Sequence, residues 1–179
     1  MVRAFLAIEL SEEIRSALAG AQDVLRTCKA RLTFVAPPQI HITAKFLGEV
    51  DERKIPALKE ALNRVAFSPF PVRAGRVTLN NPRRPFTVWS EIGDSGKGSE
   101  LQNRIEDQLA PLGFPRESRA FKPHATVARV KQFDPTLLDA LSSISSREYG
   151  ECTVTGLKLK KSTLARSGPF YEDLLEVSW

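Results

Sequence analysis

Apolar residues follow two rhythms along this chain, and the points where the rhythm changes outline its elements. Residues 2–9 are almost continuously apolar, the pattern of a strand covered on both faces. Ser11 then stands where a helix N-cap is needed, and Ile14, Leu18, Ala21 and Leu25 follow at helical spacing. Residues 32–35 predict an extended piece, Pro37-Pro38 forces a turn or polyproline segment, and residues 39–47 predict a strand closed by Gly48. Asp51 is placed to cap a second helix bearing Ile55, Leu58, Leu62 and Val65, with Pro56 early enough that its missing amide donor is tolerated.

Two strands are predicted at 71–79 and 85–92, joined by a turn containing Asn80-Asn81-Pro82. A Gly/Ser-rich break at 93–99 precedes a helix over about 100–112, with Leu101, Ile105 and Leu109 on one face and Gly113 as its stop. Residues 121–130 predict another strand, Asp134-Pro135 opens a helix running to Ile144, and 149–159 and 170–177 supply the last strands. Each half is strand-rich and carries helices, which predicts an α+β fold: two pseudo-symmetric lobes of antiparallel sheet with outer helices, flanking a central cleft, in a single bilobal domain over 1–179. A crevice between two such lobes is a natural ligand site, because side chains from both sheets converge there.

Composition changes this picture only modestly. At 179 residues the chain is long enough for one substantial core, and its 26 Lys and Arg against 21 Asp and Glu give a formal charge of +5. That balance favours an anionic partner, nucleic acid ahead of a membrane surface. The basic residues are scattered, with small groups at Arg83-Arg84 and at Lys158, Lys160 and Lys161, so a basic surface has to be assembled by folding. Cys28 and Cys152 lie far apart without a C-x-x-C or a nearby His, which argues against a disulfide framework or a thiol site. The apolar start of the chain is too short for a secretory signal and no run approaches a membrane span, so a soluble cytoplasmic protein is expected.

The candidate chemistry rests on two histidines, the only ones present. Both occur as H-x-T-hydrophobic inside strand-like runs: His41-Ile42-Thr43-Ala44 and His124-Ala125-Thr126-Val127. Residues i and i+2 of a strand share a face, so each motif presents an imidazole beside a hydroxyl, while Ile40, Ile42, Ala44, Ala125 and Val127 turn to the core. A single H-x-T is also compatible with an ordinary half-buried strand; two copies facing one ligand can divide the work of general base and general acid. No third metal ligand is evident near either motif, and neither a metal nor another cofactor is expected.

With the two motifs about eighty residues apart, the sequence resembles the two-histidine phosphoesterase superfamily, and within it the RNA 2',3'-cyclic phosphodiesterases, or LigT-like 2'-5' RNA ligases. The likeness runs from Arg3-Ala4-Phe5-Leu6-Ala7-Ile8 through His41-Ile42-Thr43-Ala44-Lys45-Phe46-Leu47-Gly48-Glu49 and Phe121-Lys122-Pro123-His124-Ala125-Thr126-Val127-Ala128-Arg129-Val130. It continues at Leu159-Lys160-Lys161-Ser162-Thr163-Leu164 and Gly168-Pro169-Phe170-Tyr171-Glu172, where it is most like archaeal or bacterial members. Ala125 departs from the larger aliphatic residue often found there; by parity it faces away from the cleft.

The resemblance implies metal-independent opening of RNA 2',3'-cyclic phosphate ends to 2'-phosphomonoesters, with His124 as general base toward water and His41 as general acid toward the leaving ribose oxygen. It makes Thr43 and Thr126 donors to the phosphate oxygens, adds Arg129 at the phosphate or the base, and suggests Phe46 as a base-stacking residue, although Phe46 fits a core position equally well. Strict alternation puts both Arg129 and Phe46 on the face opposite their histidines, so these two carry-overs require the strands to end or twist. Lys45 and Lys122 either line the cleft or are merely solvated, and Ser162 and Thr163 could be purely structural. The implied partner is an RNA or nucleotide with a 2',3'-cyclic phosphate end, met by a monomer without a membrane. Ligation in the reverse sense, a small-nucleotide cyclic phosphodiesterase and a non-catalytic RNA-end binding module stay open beside it.

Overall fold

A computed structural model describes residues 1–165 and 168–179. Among the described residues nine strands form one hydrogen-bonded antiparallel network in the order β7-β4-β5-β6-β3-β1-β8-β9, with β2 paired to β6. The strands are β1 Val2–Glu9, β2 Arg31–Phe34, β3 His41–Val50, β4 Phe70–Leu79, β5 Thr87–Gly93, β6 His124–Gln132, β7 Glu151–Val154, β8 Gly156–Ala165 and β9 Gly168–Ser178. The helices are α1 Glu12–Leu25, α2 Ile55–Asn63, α3 Lys97–Leu109 and α4 Thr136–Ser143.

The network is two lobes with a narrow join. Strands β3, β1, β8 and β9 make the first lobe; β7, β4, β5, β6 and β2 make the second. Between β3 and β6 the pairing given by the described residues is Ile42 opposite Ala125, the middle residues of H-x-T in both motifs. The lobes therefore touch where the chemistry was expected. Helix α1 leaves the first lobe and packs on β6 of the second, while α3 leaves the second lobe and packs on β3 of the first. Their apolar stripes, Ile14, Leu18, Ala21 and Leu25 on α1 and Leu101, Ile105 and Leu109 on α3, are fully buried. Ser11 caps α1 as expected, accepting from the Ile14 amide, and Gly113 ends the α3 region at a φ of 87°.

Several boundaries differ from expectation: Asp51 caps a 3-10 turn at Glu52–Lys54 rather than α2 itself, α3 starts at Lys97, and β6 starts at His124. Gly48 does not close β3; it takes a φ of 71° within the strand, which runs on to Val50. The stretch 149–159 is not one strand but two, because the chain passes from one lobe to the other at Thr155: β7 pairs with β4, and β8 with β1 and β9. Gly156 permits that passage, since a Cβ there would collide with the Val177 carbonyl.

Candidate functional site

Each motif opens its strand, and each imidazole is aimed by the residue two positions before it. His41 Nδ1 lies 2.7 Å from the Gln39 carbonyl oxygen, and His124 Nδ1 lies 2.7 Å from that of Lys122. A carbonyl only accepts, so Nδ1 carries the proton in both rings and Nε2 is the atom left for chemistry. His41 Nε2 is 3.1 Å from Thr43 Oγ1. Ring stacking fixes the planes: His41 lies 5.1 Å from Phe5 and 5.7 Å edge-on to Tyr171, and His124 lies 4.1 Å from Trp89. Burial depresses the pKa of both imidazoles. At His41 the Gln39 carbonyl and Glu9 work against that depression, while Lys160 and His124 add to it.

The parity problem of Phe46 and Arg129 is resolved by one extra residue in each strand. In β3, Lys45 is opposite Leu6 and Thr43 is opposite Ala7, so Ala44 has no partner on β1. In β6, Ala128 is opposite Val88 and Thr126 is opposite Trp89, so Val127 has none on β5. Each is a β-bulge at the fourth position of H-x-T-x, and it shifts the alternation by one. Two consecutive residues, Ala44-Lys45 and Val127-Ala128, are accordingly buried. The next ones, Phe46 and Arg129, come round to the face of His41 and His124 and are exposed, Phe46 at 68%. Arg129 also lies close enough to the first lobe for its charge to act on Tyr171 of β9.

A bulge frees a carbonyl from the ladder, and a buried carbonyl without a donor costs about 1–3 kcal/mol. Here both are met by a buried glutamine from the swapped helix, and the Val127 carbonyl also accepts from the Val35 amide at 3.0 Å. Gln102 Nε2 of α3 donates to the Ala44 carbonyl at 3.0 Å, and Gln22 Nε2 of α1 donates to the Val127 carbonyl at 2.9 Å and to that of Val35 at 2.7 Å. These glutamines went unnoticed in the sequence, although a polar residue on an apolar stripe, next to Ala21 in α1 and Leu101 in α3, was the available signal. Phe5, Trp89 and Tyr171 were likewise missed, since only the fold brings them to the histidines.

Lys45 corrects the expectation made for it. It neither lines the cleft nor meets solvent, because the bulge turns it inward, where its amine sits 3.0 Å from Glu106 of α3 and 2.7 Å from the Pro115 carbonyl. Glu106 also accepts from the Glu117 amide at 2.7 Å, so the pair ties β3 to the loop that leads into His124. Lys122 is exposed. Ser162 and Thr163 lie in the β8–β9 hairpin opposite Tyr171 and Phe170. Among the described residues no group of three or more His, Cys, Asp and Glu side chains is arranged to hold a metal ion. No helix among them is long and apolar enough to cross a membrane.

Comparison with known proteins places this arrangement. The sequence model of the 2'-5' RNA ligase superfamily matches residues 6–164. An RNA 2',3'-cyclic phosphodiesterase of Archaeoglobus fulgidus is 36% identical over 174 residues, 97% of this chain and 98% of that protein. One from Methanocaldococcus jannaschii is also 36% identical, over 98% of this chain and 99% of its own length. Among solved structures, one from Thermus thermophilus superposes with a TM-score of 0.81 at 30% identity, covering 98% of this chain and 97% of that one. Escherichia coli LigT in complex with 3'-AMP gives 0.76 at 25% identity, covering 99% and 96%.

Proposed function

The chain belongs to the 2'-5' RNA ligase superfamily, and from that membership and the paired bulged strands we propose that it hydrolyses RNA 2',3'-cyclic phosphate ends to 2'-phosphomonoesters by metal-independent acid–base catalysis between His41 and His124. The reading is carried by one observation: two H-x-T segments, each with its imidazole Nδ1 tied to a carbonyl so that Nε2 is the nitrogen left for chemistry, lie either side of the Ile42–Ala125 join.

The reaction asks for a base on one side of phosphorus and an acid on the other, in line. His124 Nε2 takes a proton from water as the water oxygen bonds to phosphorus. The bond from phosphorus to O3' breaks, and that oxygen takes the proton from His41 Nε2. The charge that builds on the non-bridging oxygens is met by the Thr43 and Thr126 hydroxyls and by Arg129, which the bulge has brought to this face. Phe46, exposed on the other lobe, offers a stacking surface for the terminal base. Solvent then exchanges the protons and restores both rings. The cycle uses no metal, and the protein works in the cytoplasm as a monomer.

The test is a cyclic-ended oligonucleotide assayed with and without EDTA, its product compared with both monophosphate standards by phosphorus NMR. A 2'-phosphate formed at the same rate in chelator is expected. A rate lost in EDTA and restored by a divalent ion removes the metal-free mechanism, and a predominant 3'-phosphate removes the assigned orientation.

A further inference from the structure

The two lobes carry charge differently, and the difference marks where the rest of the substrate goes. On the first lobe Arg15 and the lysines of β8 are neutralised in place: Arg15 and Lys160 contact Glu9, Lys158 and Lys160 contact Asp173, and Lys161 contacts Glu172. Arg3 of β1 is exposed there with no ion pair among the described residues. On the second lobe, segments 29–35, 80–90 and 122–133 contain seven cationic side chains and not one carboxylate. The fold brings these segments together. Arg129 of β6 is flanked by Thr33 of β2 and Thr87 of β5, Arg31 is opposite Gln132, and the Val130 amide donates to the Phe86 carbonyl. Lys131 is two residues beyond Arg129, so β6 presents His124, Thr126, Arg129 and Lys131 along one face, about 20 Å at 3.3 Å per residue.

The turn between β4 and β5, which carries Arg83 and Arg84, adjoins this end of β6 through the hydrogen bond from the Val130 amide to the Phe86 carbonyl. Asn81 Oδ1 accepts from the Arg83 amide at 2.9 Å and Asn80 Oδ1 from the Thr87 amide at 2.9 Å, which holds Arg83, Arg84 and Phe86 on a defined turn. Both arginines are exposed, and Phe86 is 60% exposed. Exposed cations with no ion pair among the described residues, running on from a phosphate-binding position, are an electrostatic groove of the kind that tracks a single-stranded polynucleotide. Glu91, opposite His124, and Asp134, bonded to Thr136, stand at its borders.

Resting on the cyclic-phosphodiesterase reading, we infer that the nucleotides preceding the cyclic end lie on the second lobe along Arg129 and Lys131, between Arg31 and the turn that carries Arg83 and Arg84. Cations that meet successive phosphates add affinity for an oligonucleotide and none for a nucleotide that ends at the cleft.

Two double variants test this, Arg31→Ala with Lys131→Ala and Arg83→Ala with Arg84→Ala, each assayed on a cyclic mononucleotide and on a ten-nucleotide RNA with a cyclic end. KM for the RNA is expected to rise at least about tenfold in each, with kcat and all mononucleotide constants unchanged. The plot of log KM against log salt is expected to flatten by about 0.7 per phosphate contact removed. Unchanged KM for the RNA, or equal losses on both substrates, overturns the inference. So does weakened binding to phosphatidylserine vesicles with the RNA constants intact, which would make the basic corner a lipid-binding surface. Failure of the wild type to open either substrate instead strikes the proposed function. In that case affinity for a non-cyclic RNA of the same length decides the inference: the track requires it to fall in both variants, and equal affinities overturn it.

Discussion

Laid over each other, the two lobes agree through the first four residues of their motifs and part company at the sixth. Both have a carbonyl on Nδ1, an aromatic ring against the imidazole, a bulge at the fourth residue and a buried glutamine on the bulge carbonyl. Then Phe46 stands on one lobe and Arg129 on the other, and the ion-paired cations of the first give way to the unpaired basic corner of the second. Holding an imidazole beside a hydroxyl is a task common to both sides of a phosphorus atom, so its scaffold is duplicated. Orienting a directional strand requires the two sides to differ, so the duplication stops where base and phosphodiester backbone are expected.

The largest effect is expected at the shared centre. His41→Ala and His124→Ala should each lower kcat by at least about a hundredfold, the contribution of a general acid or base, with circular dichroism unchanged. If one lobe's histidine proves dispensable, the symmetric division of labour fails. The hydroxyls come next. Thr43→Val and Thr126→Val should reduce kcat by about ten- to a hundredfold with little change in KM, because the donors act on charge that builds in the transition state. A large change confined to KM would make them ground-state contacts.

A smaller effect is expected from the glutamines, and it separates geometry from folding. Gln102→Met keeps volume but takes the glutamine donor from the Ala44 carbonyl, and Gln22→Met takes one of two donors from the Val127 carbonyl and the side-chain donor from that of Val35, so a cost of about 1–3 kcal/mol in stability is expected for Gln102→Met and a smaller one for Gln22→Met. Both should lower kcat several-fold at temperatures far below the melting transition, since the bulge sets the turn from Thr43 to Phe46 and from Thr126 to Arg129. Gln102→Glu adds a diagnostic, because a carboxyl donates to Ala44 only when protonated, so its activity relative to wild type should recover as pH falls. Full activity in a destabilised Met variant would reduce the glutamines to core residues.

How much of this was visible beforehand follows from which signals are local. The helices, the two motif strands and the burial of Ile40, Ile42, Ala44, Ala125 and Val127 follow from period and parity, which depend on neighbours along the chain. The parity rule failed at Phe46 and Arg129 because a bulge is a relation between two strands, and nothing in Ala44 or Val127 announces it. Lys45 was misread for the same reason. Its partner Glu106 is 61 residues away, and a lysine in a strand gives no local sign that it will be turned inward. The charge asymmetry was hidden in an unremarkable total, since scattered arginines become a surface only when β2, β5 and β6 are side by side.

The subtlest difference between the lobes is electrostatic, and it can identify which histidine is the acid. Burial lowers both imidazoles from the usual value of about 6.5, so kcat/KM of the free enzyme should follow a bell lying to the acid side of it. A bound phosphodiester anion favours both imidazolium forms, so the kcat bell should lie at higher pH than that of kcat/KM. His41 differs from His124 in having Glu9 to raise its pKa and Lys160 to lower it. Glu9→Gln removes the first and releases the second from their 2.8 Å contact, so both changes push His41 further down. If His41 must be protonated to act, a lower pKa leaves less of the active form at high pH: kcat/KM should drop on the alkaline side and keep its wild-type values on the acid side. If His41 were the base, the lower pKa would leave more of it neutral at low pH, and the acid side would rise while the alkaline side stayed put. These outcomes hold whichever imidazole has the higher pKa, so the pH profile of this one variant assigns the roles that the near-symmetry of the two lobes conceals.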